Sequence, residues 1–219
     1  MTRIDGHEGS STAAVLKRAL ARAVLAVEAR NTVILVEGMS DQAAVETLAL
    51  QQGRDLAQER VSVLAVGGVT NFARFVELLG PHGHALRLAG LYDVAEEPQV
   101  ESALSAGGLG RGHDRLGLED LGFYAAVRDL EDELIRSLGP ERVERVIDDL
   151  GERRMWRSFR NQPAQRHRAT GEQLHRFMGT KSGRKIRYGS ALVAALEPED
   201  VPRPLELVLA RSAPDRSGD

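Results

Sequence analysis

The chain has 219 residues, enough for one full hydrophobic core, and it contains no cysteine, which excludes disulfide bonds and thiolate metal sites. The net charge is −3, but residues 153–187 hold 11 Lys or Arg and one acid, whereas the rest of the chain holds 18 basic and 31 acidic residues. No apolar run approaches the roughly 20 residues that span a bilayer, and the first residues lack a signal-peptide pattern. We therefore expect a soluble cytoplasmic protein, not bound to a membrane, with an acidic body and one basic region.

The first predicted elements are a helix and a strand. Ser11 and Thr12 can cap a helix whose apolar residues recur at helical spacing, and we expect this helix, within residues 1–28, to pack on the edge of a sheet. The apolar run over residues 32–36 predicts a buried strand, and Ser40 is the predicted N-cap of the helix that follows it. A strand that leads directly into a helix is typical of α/β folds.

The same alternation of strand and helix continues along the chain. Further strands are predicted over residues 61–66, 85–92 and 123–127, and amphipathic helices separate them. Because the strands are apolar along their whole length, we predict an α/β fold over residues 29–139, in which a parallel, Rossmann-like sheet carries helices on both faces. The glycine-rich stretch 107–112 is predicted to be a flexible loop.

A basic helical region is predicted over residues 140–210. Apolar residues recur at helical spacing after Pro140, and the basic segment follows them. Solvated helix faces usually carry charges of both signs, so an excess of positive charge beside an acidic site suggests a clamp on a polyanion such as nucleic acid. The candidate contacts for nucleic acid are Arg157, Arg160, Arg184 and Arg187.

Aromatic and histidine side chains lie among these arginines. We expect Trp156, Phe159 and Tyr188 to pack in the core, and stacking on nucleic-acid bases is the alternative for each. His167 and His175 are assigned to the basic surface. Neither set of residues predicts a site by itself.

Acidic side chains follow three of the predicted strands at their carboxyl ends. In open parallel sheets this edge holds the ligand site, and several carboxylates there would repel one another at neutral pH. A divalent ion relieves that repulsion, and an all-oxygen ligand set suits Mg²⁺ or Mn²⁺ rather than zinc. The candidate metal ligands are Glu37, Asp41, Asp93, Asp129 and Glu131.

Some of these features also have a purely structural interpretation. Asp41 can be a negative charge in the first turn of a helix, and Asp129 can be an N-cap. Gly67 and Gly68 can form a tight turn after their strand, or their backbone amides can bind a phosphate. Glu37, by contrast, gains nothing from local structure at the end of an apolar strand, which favours a functional role.

Several motifs stand in a fixed order between residues 33 and 196. A Val-Glu-Gly-x-Ser-Asp turn ends at Asp41, Gly67-Gly68 has Asn71 nearby, an Asp-Leu-Glu motif begins at Asp129, and Gly183-Arg184-Lys185-Ile186 precedes a helix. In this order they resemble the TOPRIM domain, the metal-binding α/β module of topoisomerases, primases and certain nucleases. The version they resemble most is that of the OLD (overcoming lysogenization defect) nuclease family.

The resemblance implies a metal-dependent nuclease. It implies that Glu37 and Asp93 are catalytic acids that hold Mg²⁺ or Mn²⁺, and that Lys185 stabilises charge on the phosphate in the transition state. It also implies nucleic acid as the partner, with DNA favoured over RNA.

The sequence departs from the family pattern at two points. The usual Asp-x-Asp of the third strand is Asp93-Val94-Ala95 here, so the second carboxylate is missing, and either Glu96 or Glu97 could replace it. The sequence also contains no Gly-x-x-x-x-Gly-Lys-Ser/Thr motif, so the resemblance does not extend to the ATPase half of OLD proteins, and a separate ATPase chain is a candidate partner.

Three functions are therefore compatible with the sequence. The first is a metal-dependent phosphodiesterase that cleaves nucleic acid. The second is a TOPRIM module that binds nucleic acid or a partner protein without cleavage. The third is a small-molecule phosphotransfer enzyme that uses the same acids and lysine.

Overall fold

The computed structural model describes residues 7–29, 31–110, 114–180 and 183–214, with side chains from residue 13 onward. In these residues four parallel strands form one sheet in the order β2-β1-β3-β4. The strands are β1 (Thr32–Val36), β2 (Val61–Ala65), β3 (Leu88–Asp93) and β4 (Phe123–Ala126). The helices are α1 (His7–Ala29), α2 (Met39–Gln51), α3 (Val69–Leu79), α4 (Glu97–Ala106), α5 (Arg115–Leu121), α6 (Leu130–Asp149), α7 (Arg153–Arg160), α8 (Thr170–Met178), α9 (Arg184–Ala194) and α10 (Arg203–Arg211), and 3-10 turns form at Val94–Glu96 and Pro198–Asp200.

Both faces of the sheet are covered, as the apolar strands predict. Successive side chains of a strand point to opposite faces, and in β1 Ile34 and Val36 join a core with α2, α6, α8, α9 and α10. Val33 and Leu35 join a second core with α1, α3 and α4. The predicted α/β fold with a helical C-terminal region is thus confirmed. In the part of the chain that is described, no helix is both long and apolar enough to cross a bilayer.

Element ends differ from the predictions where local backbone geometry decides them. Strand β3 begins at Leu88 rather than at residue 85, and Ala85, which follows the turn over residues 81–84, has a φ of 50° that no strand residue adopts. Helix α1 begins at His7, four residues before the predicted cap at Ser11, and Gly38 rather than Ser40 precedes α2. Strand β4 ends at Ala126, one residue earlier than predicted.

A kink divides α6 near the boundary that the sequence suggests between the sheet domain and the helical region. Gly139 has φ 72° and ψ 157°, and Pro140 follows it inside the helix. Glycine adopts this backbone conformation without steric strain, and proline cannot donate an amide hydrogen to the preceding turn. The chain therefore changes direction at this point while the two halves remain one continuous segment.

Helices α2 and α9 approach each other at the backbone. A Cβ atom on Gly189 would lie 2.5 Å from the carbonyl oxygen of Ser40, so only glycine fits there. This contact places the first turn of α9, which contains Lys185, beside the turn between β1 and α2. The helical region thus supplies one wall of the space above the sheet.

Candidate functional site

A cavity of about 440 Å³ lies at the carboxyl ends of β1, β3 and β4. Strand order reverses between β1 and β3, which is where open parallel sheets bind ligands. The polar side chains that line the cavity are Glu37, Ser40, Asp41, Asp93, Asp129, Glu131 and Lys185, and Gly67 and Gly68 line it as well. The structure therefore brings together every acid that the sequence suggests as a metal ligand, together with the proposed catalytic lysine.

A larger groove is a weaker candidate. It has a volume of about 1270 Å³ and lies between α1, α2 and the edge strand β2. Two of its charged side chains are held by partners: Arg22 donates to Glu46 and to the carbonyl of Val63, both at 2.8 Å, and Arg54 forms an ion pair with Glu59 at 2.5 Å. The groove also lies at the amino ends of the strands, whereas open parallel sheets bind ligands at the carboxyl ends.

The positions of Glu37 and Asp93 are set by two neighbouring strands. Glu37 directly follows β1, and Asp93 is the last residue of β3. Burial raises the pKa of Glu37, and the charges of Glu131 and Asp129 raise it further, while Lys185 lowers it. Burial also raises the pKa of Asp93 to about 7, with repulsion from Glu37 and Asp129 added to it. The cavity therefore holds more negative charge than its own residues stabilise.

Asp41 serves local structure and lines the cavity. Its Oδ2 accepts a hydrogen bond from the backbone amide of Gly38 at 2.8 Å, at the start of α2. Burial nevertheless raises the pKa of Asp41 well above its usual value, and repulsion from Glu131 adds to this effect. The helix-start interpretation is correct, but it does not exclude a role in the site.

The two glycines after β2 form a turn that needs them. Gly67 and Gly68 have φ values of 79° and 109°, which other residues rarely adopt. The amide of Gly67 donates to the carbonyl of Glu37 at 2.8 Å, and Gly67 also lines the cavity, so its contact with a phosphate stays a prediction. Gly68 lines the cavity as well, and contact between its amide and a phosphate also stays a prediction.

Asp129 is an N-cap, and both of its carboxylate oxygens accept hydrogen bonds. Oδ1 accepts from the amide of Asp132 at 2.8 Å, and Oδ2 lies 2.6 Å from Nε2 of His175 in α8. Burial would raise the pKa of Asp129, but the hydrogen bonds from His175 and from the Asp132 amide bring it below its usual value. His175 was expected on the basic surface, and this expectation is wrong, because only 15% of its side chain is exposed.

Glu131 and Lys185 face each other across the cavity. Glu131 is 4% exposed, and Nζ of Lys185 lies 3.5 Å from its Oε1. This is an ion-pair distance but it is too long for a well-formed hydrogen bond, and Oε1 is buried without a hydrogen-bond partner. Burial would lower the pKa of Lys185, but the charges of Glu131 and Asp129 raise it, so the side chain stays protonated.

Glu96 and Glu97 are the two acids that could replace the missing second carboxylate, and they lie in different surroundings. Glu97 turns away, since its Oε2 accepts from Nε of Arg115 at 2.8 Å and from the hydroxyl of Tyr92 at 3.3 Å. Glu96 is half-buried, and burial and the charge of Glu37 raise its pKa. Of the two alternatives that the sequence left open, Glu96 is thus the one near the acidic cavity.

Arg184 is not a surface residue. It is 6% exposed, its Nε lies 2.9 Å from Oε2 of Glu152, and its guanidinium packs 4.2 Å from the ring centre of Phe177. It also donates to the hydroxyl of Thr180. The predicted contact between Arg184 and nucleic acid is therefore wrong, because the side chain is buried in contacts that link α7, α8 and α9.

The other three candidate arginines remain accessible to different extents: Arg157 and Arg187 are exposed, and Arg160 is partly buried. Arg160 forms an ion pair with Glu144 at 2.9 Å, and Arg187 donates to the carbonyl of Leu150 at 2.8 Å. The nearby aromatic residues belong to the core: Trp156 and Tyr188 are buried, and Phe159 packs on Trp156. Stacking of bases on Trp156 or Tyr188 is thus excluded.

Sequence comparison identifies the domain that carries the cavity. Residues 30–93 match the family described as "Overcoming lysogenization defect protein-like, TOPRIM domain". The chain contains an OLD-like TOPRIM domain. The matched residues include Glu37, Asp41 and Asp93, and they end before Asp129, Glu131 and Lys185. No curated relative matches the sequence.

The three-dimensional structure extends this likeness over most of the chain. The C-terminal region of the Xanthomonas campestris pv. campestris OLD protein matches with a TM-score of 0.64 and 24% identity, covering 83% of this chain and 91% of that one. The C-terminal region of the Burkholderia pseudomallei OLD protein matches with a TM-score of 0.62 and 21% identity, covering 83% and 96%. At this level of identity the likeness shows a shared fold.

Proposed function

We propose that the chain is a divalent-metal-dependent nuclease. The observation that carries the proposal is the convergence of five carboxylates and one lysine in a single cavity of an OLD-like TOPRIM domain. Three of these acids have raised pKa values because they are buried close to one another. Such an arrangement destabilises the folded chain unless a cation compensates for it, which is typical of a functional site.

The chemistry of the donor set fits Mg²⁺ or Mn²⁺. TOPRIM domains generally bind divalent ions, the available donors are oxygens, and Oε1 of Glu131 is a buried acceptor without a hydrogen-bond partner. The candidate ligands are Glu37, Asp41, Asp93, Asp129 and Glu131. As the side chains stand, no three His, Asp or Glu residues in the described part of the chain are close enough to share an ion, so binding requires some of the carboxylates to rotate.

When bound, such an ion neutralises charge on a phosphate and activates a water molecule. The protein's own contribution lies in Lys185 and in the shape of the cavity. Lys185 is protonated and held by Glu131 in the metal-free chain. We infer that its ammonium group faces the scissile phosphate in the complex and stabilises the charge that develops there.

The substrate is proposed to be a nucleic acid because of the charge of the helical region. Arg154 and Arg157 are exposed on α7 and are not paired with an acid among the described residues. Replacing both with Gln should reduce the slope of log affinity against log salt by about 0.7 to 0.9 for each lost phosphate contact. Arg203→Gln is the matched control, because Arg203 is exposed but lies on α10, in an ion pair with Glu119.

The decisive test is cleavage of single- and double-stranded DNA and RNA with Mg²⁺ or Mn²⁺. We expect the wild type to cleave and Glu37→Gln to lose activity while its fold is retained. Glu77→Gln, an exposed isosteric change on α3, should cleave at the wild-type rate. Equal cleavage by the wild type and Glu37→Gln would show that Glu37, and the cavity that it lines, is not the site of cleavage.

A TOPRIM module that binds nucleic acid or a partner protein without cutting is the second candidate. It is favoured by Ala95, an exposed residue where the family pattern has its second acid. Manganese binding together with salt-dependent nucleic-acid binding, but without cleavage of any substrate form, would support it.

A further inference from the structure

The Asp129 carboxylate is held on both of its oxygens before any ligand arrives. The Asp132 amide donates to Oδ1 at 2.8 Å, and Nε2 of His175 lies 2.6 Å from Oδ2. Each carboxylate oxygen can accept more than one hydrogen bond or ligand. One donor on each oxygen therefore fixes the plane of the carboxylate and leaves it able to bind at the cavity that it lines.

The donor role of His175 follows from its other neighbour. Nη2 of Arg128 lies 3.4 Å from Nδ1 of His175. A guanidinium can only donate and an ionised carboxylate can only accept, so this arrangement fits Nδ1 as the acceptor and Nε2, 2.6 Å from Oδ2 of Asp129, as the donor. Arg128 is itself held by Oε1 of Glu172, at 2.6 Å, on the same helix as His175.

We propose that His175 is a positioning residue that orients Asp129 for metal binding. The inference rests on the proposed function, in which Asp129 is a metal ligand. Hydrogen-bond partners of metal ligands fix ligand orientation, and their loss typically weakens metal affinity by about 10- to 100-fold. Because His175 is on α8, the affinity of the sheet's metal site depends on the helical region.

A purely structural role for the same hydrogen bond makes a different prediction. Helix α8 is already fixed to the core by Leu174, Phe177 and Met178, which are buried. The hydrogen bond from His175 to Asp129 is therefore not needed to attach the helix. We expect its removal to change metal affinity far more than it changes the midpoint of unfolding.

The test is calorimetric titration of Mn²⁺ into the metal-free chain, combined with denaturant unfolding of the same samples. His175→Ala should weaken Mn²⁺ binding by about 10- to 100-fold, with little change in the unfolding midpoint. His175→Gln, which keeps an amide donor, should recover part of the affinity. His167→Ala is the matched control, because His167 is an exposed histidine near Arg166 in the preceding loop, and it should bind as the wild type does.

The outcomes separate this inference from the function on which it rests. Weakened binding in Asp129→Asn with unchanged binding in His175→Ala would overturn the role of His175 and leave Asp129 as a ligand. Unchanged binding in Asp129→Asn would remove Asp129 from the metal site, and the inference with it. If His175→Ala fails to fold, His175→Leu decides, because it removes the hydrogen-bond donor and keeps a side chain of similar size: unchanged Mn²⁺ affinity in that variant also overturns the proposal.

Discussion

The molecule contains two groups of buried charge that are built on opposite principles. The first group lies between α7, α8 and α9, and its acid, Glu152, is neutralised by its neighbours. Glu152 is 2.9 Å from Nε of Arg184 and accepts a hydrogen bond from the hydroxyl of Tyr188 at 3.0 Å. Burial and the charge of Glu152 raise the pKa of Tyr188, so this hydroxyl stays protonated and donates. In the cavity, by contrast, five acids share one lysine.

The difference separates charge that holds the fold together from charge that is kept for a ligand. In the first group, removing Glu152 or Arg184 leaves a buried charge without its nearest partner. In the second, the members repel one another, so removing one relieves the rest. Sequence composition alone shows neither group, since both are built from ordinary Glu, Asp, Lys and Arg residues.

The strongest test of this comparison uses the same substitution in both groups. Glu152→Gln should lower the free energy of unfolding by about 3 to 5 kcal/mol, because it leaves Arg184 buried and unpaired. Glu37→Gln should leave the stability unchanged or raise it. Denaturant unfolding of the two metal-free variants measures both, and equal destabilisation would show that the two groups do not differ.

A divalent ion should convert the second group into a stabilising one. At a free Mn²⁺ concentration about 100 times Kd, the wild type should gain about 2.7 kcal/mol in the free energy of unfolding, and EDTA should reverse the gain. Glu152→Gln should keep this increment, whereas Asp93→Asn should lose most of it. An equal metal-induced rise in Tm for the wild type and Asp93→Asn would place the ion elsewhere.

Glu96 and Glu97 offer a sharper comparison within one turn. Glu96 is close enough to Glu37 for their charges to interact, and Glu97 is paired with Arg115. We expect Glu96→Gln to weaken Mn²⁺ binding by about 10-fold and Glu97→Gln to leave it unchanged. Calorimetry on the two variants decides which acid replaces the one missing at Ala95, and the reverse order would assign that role to Glu97.

The smallest expected effect is a dependence of stability on pH. In the metal-free chain the pKa of Asp93 is raised from 3.8 to about 7, and the pKa values of Glu37 and Asp41 are raised as well. At a pH between the unfolded and the folded pKa of such an acid, the folded chain binds more protons than the unfolded chain. The free energy of unfolding therefore falls as pH rises through this range.

A series of thermal unfolding curves in EDTA checks this sign. The Tm of Asp93→Asn, relative to that of the wild type, should increase as pH rises from about 5 to about 7. The acid with a lowered pKa, Asp129, acts in the opposite direction, but it does so below this range. A relative Tm that falls over the same range would contradict the assignment of Asp93.

The sequence predicts the sheet and the acids of the cavity because both follow from local patterns. An acid at the carboxyl end of a buried strand reaches the same edge of a parallel sheet wherever the helices pack, as Glu37 and Asp93 show. The roles of Arg184 and His175 depend on residues that lie 32 and 46 positions away, Glu152 and Asp129. A count of arginines along a segment cannot separate a buried ion pair from a binding surface, and no local pattern marks a histidine that holds an acid on another helix.

The contact between Gly189 and Ser40 limits how the chain can vary. The carbonyl of Ser40 would lie 2.5 Å from a Cβ atom at position 189, so even a methyl group there forces α9 away from α2. Lys185 is one helical turn earlier on α9 and would move with it. Variation at position 189 is therefore constrained by the geometry of the cavity, although the residue has no side chain and makes no contact with a ligand.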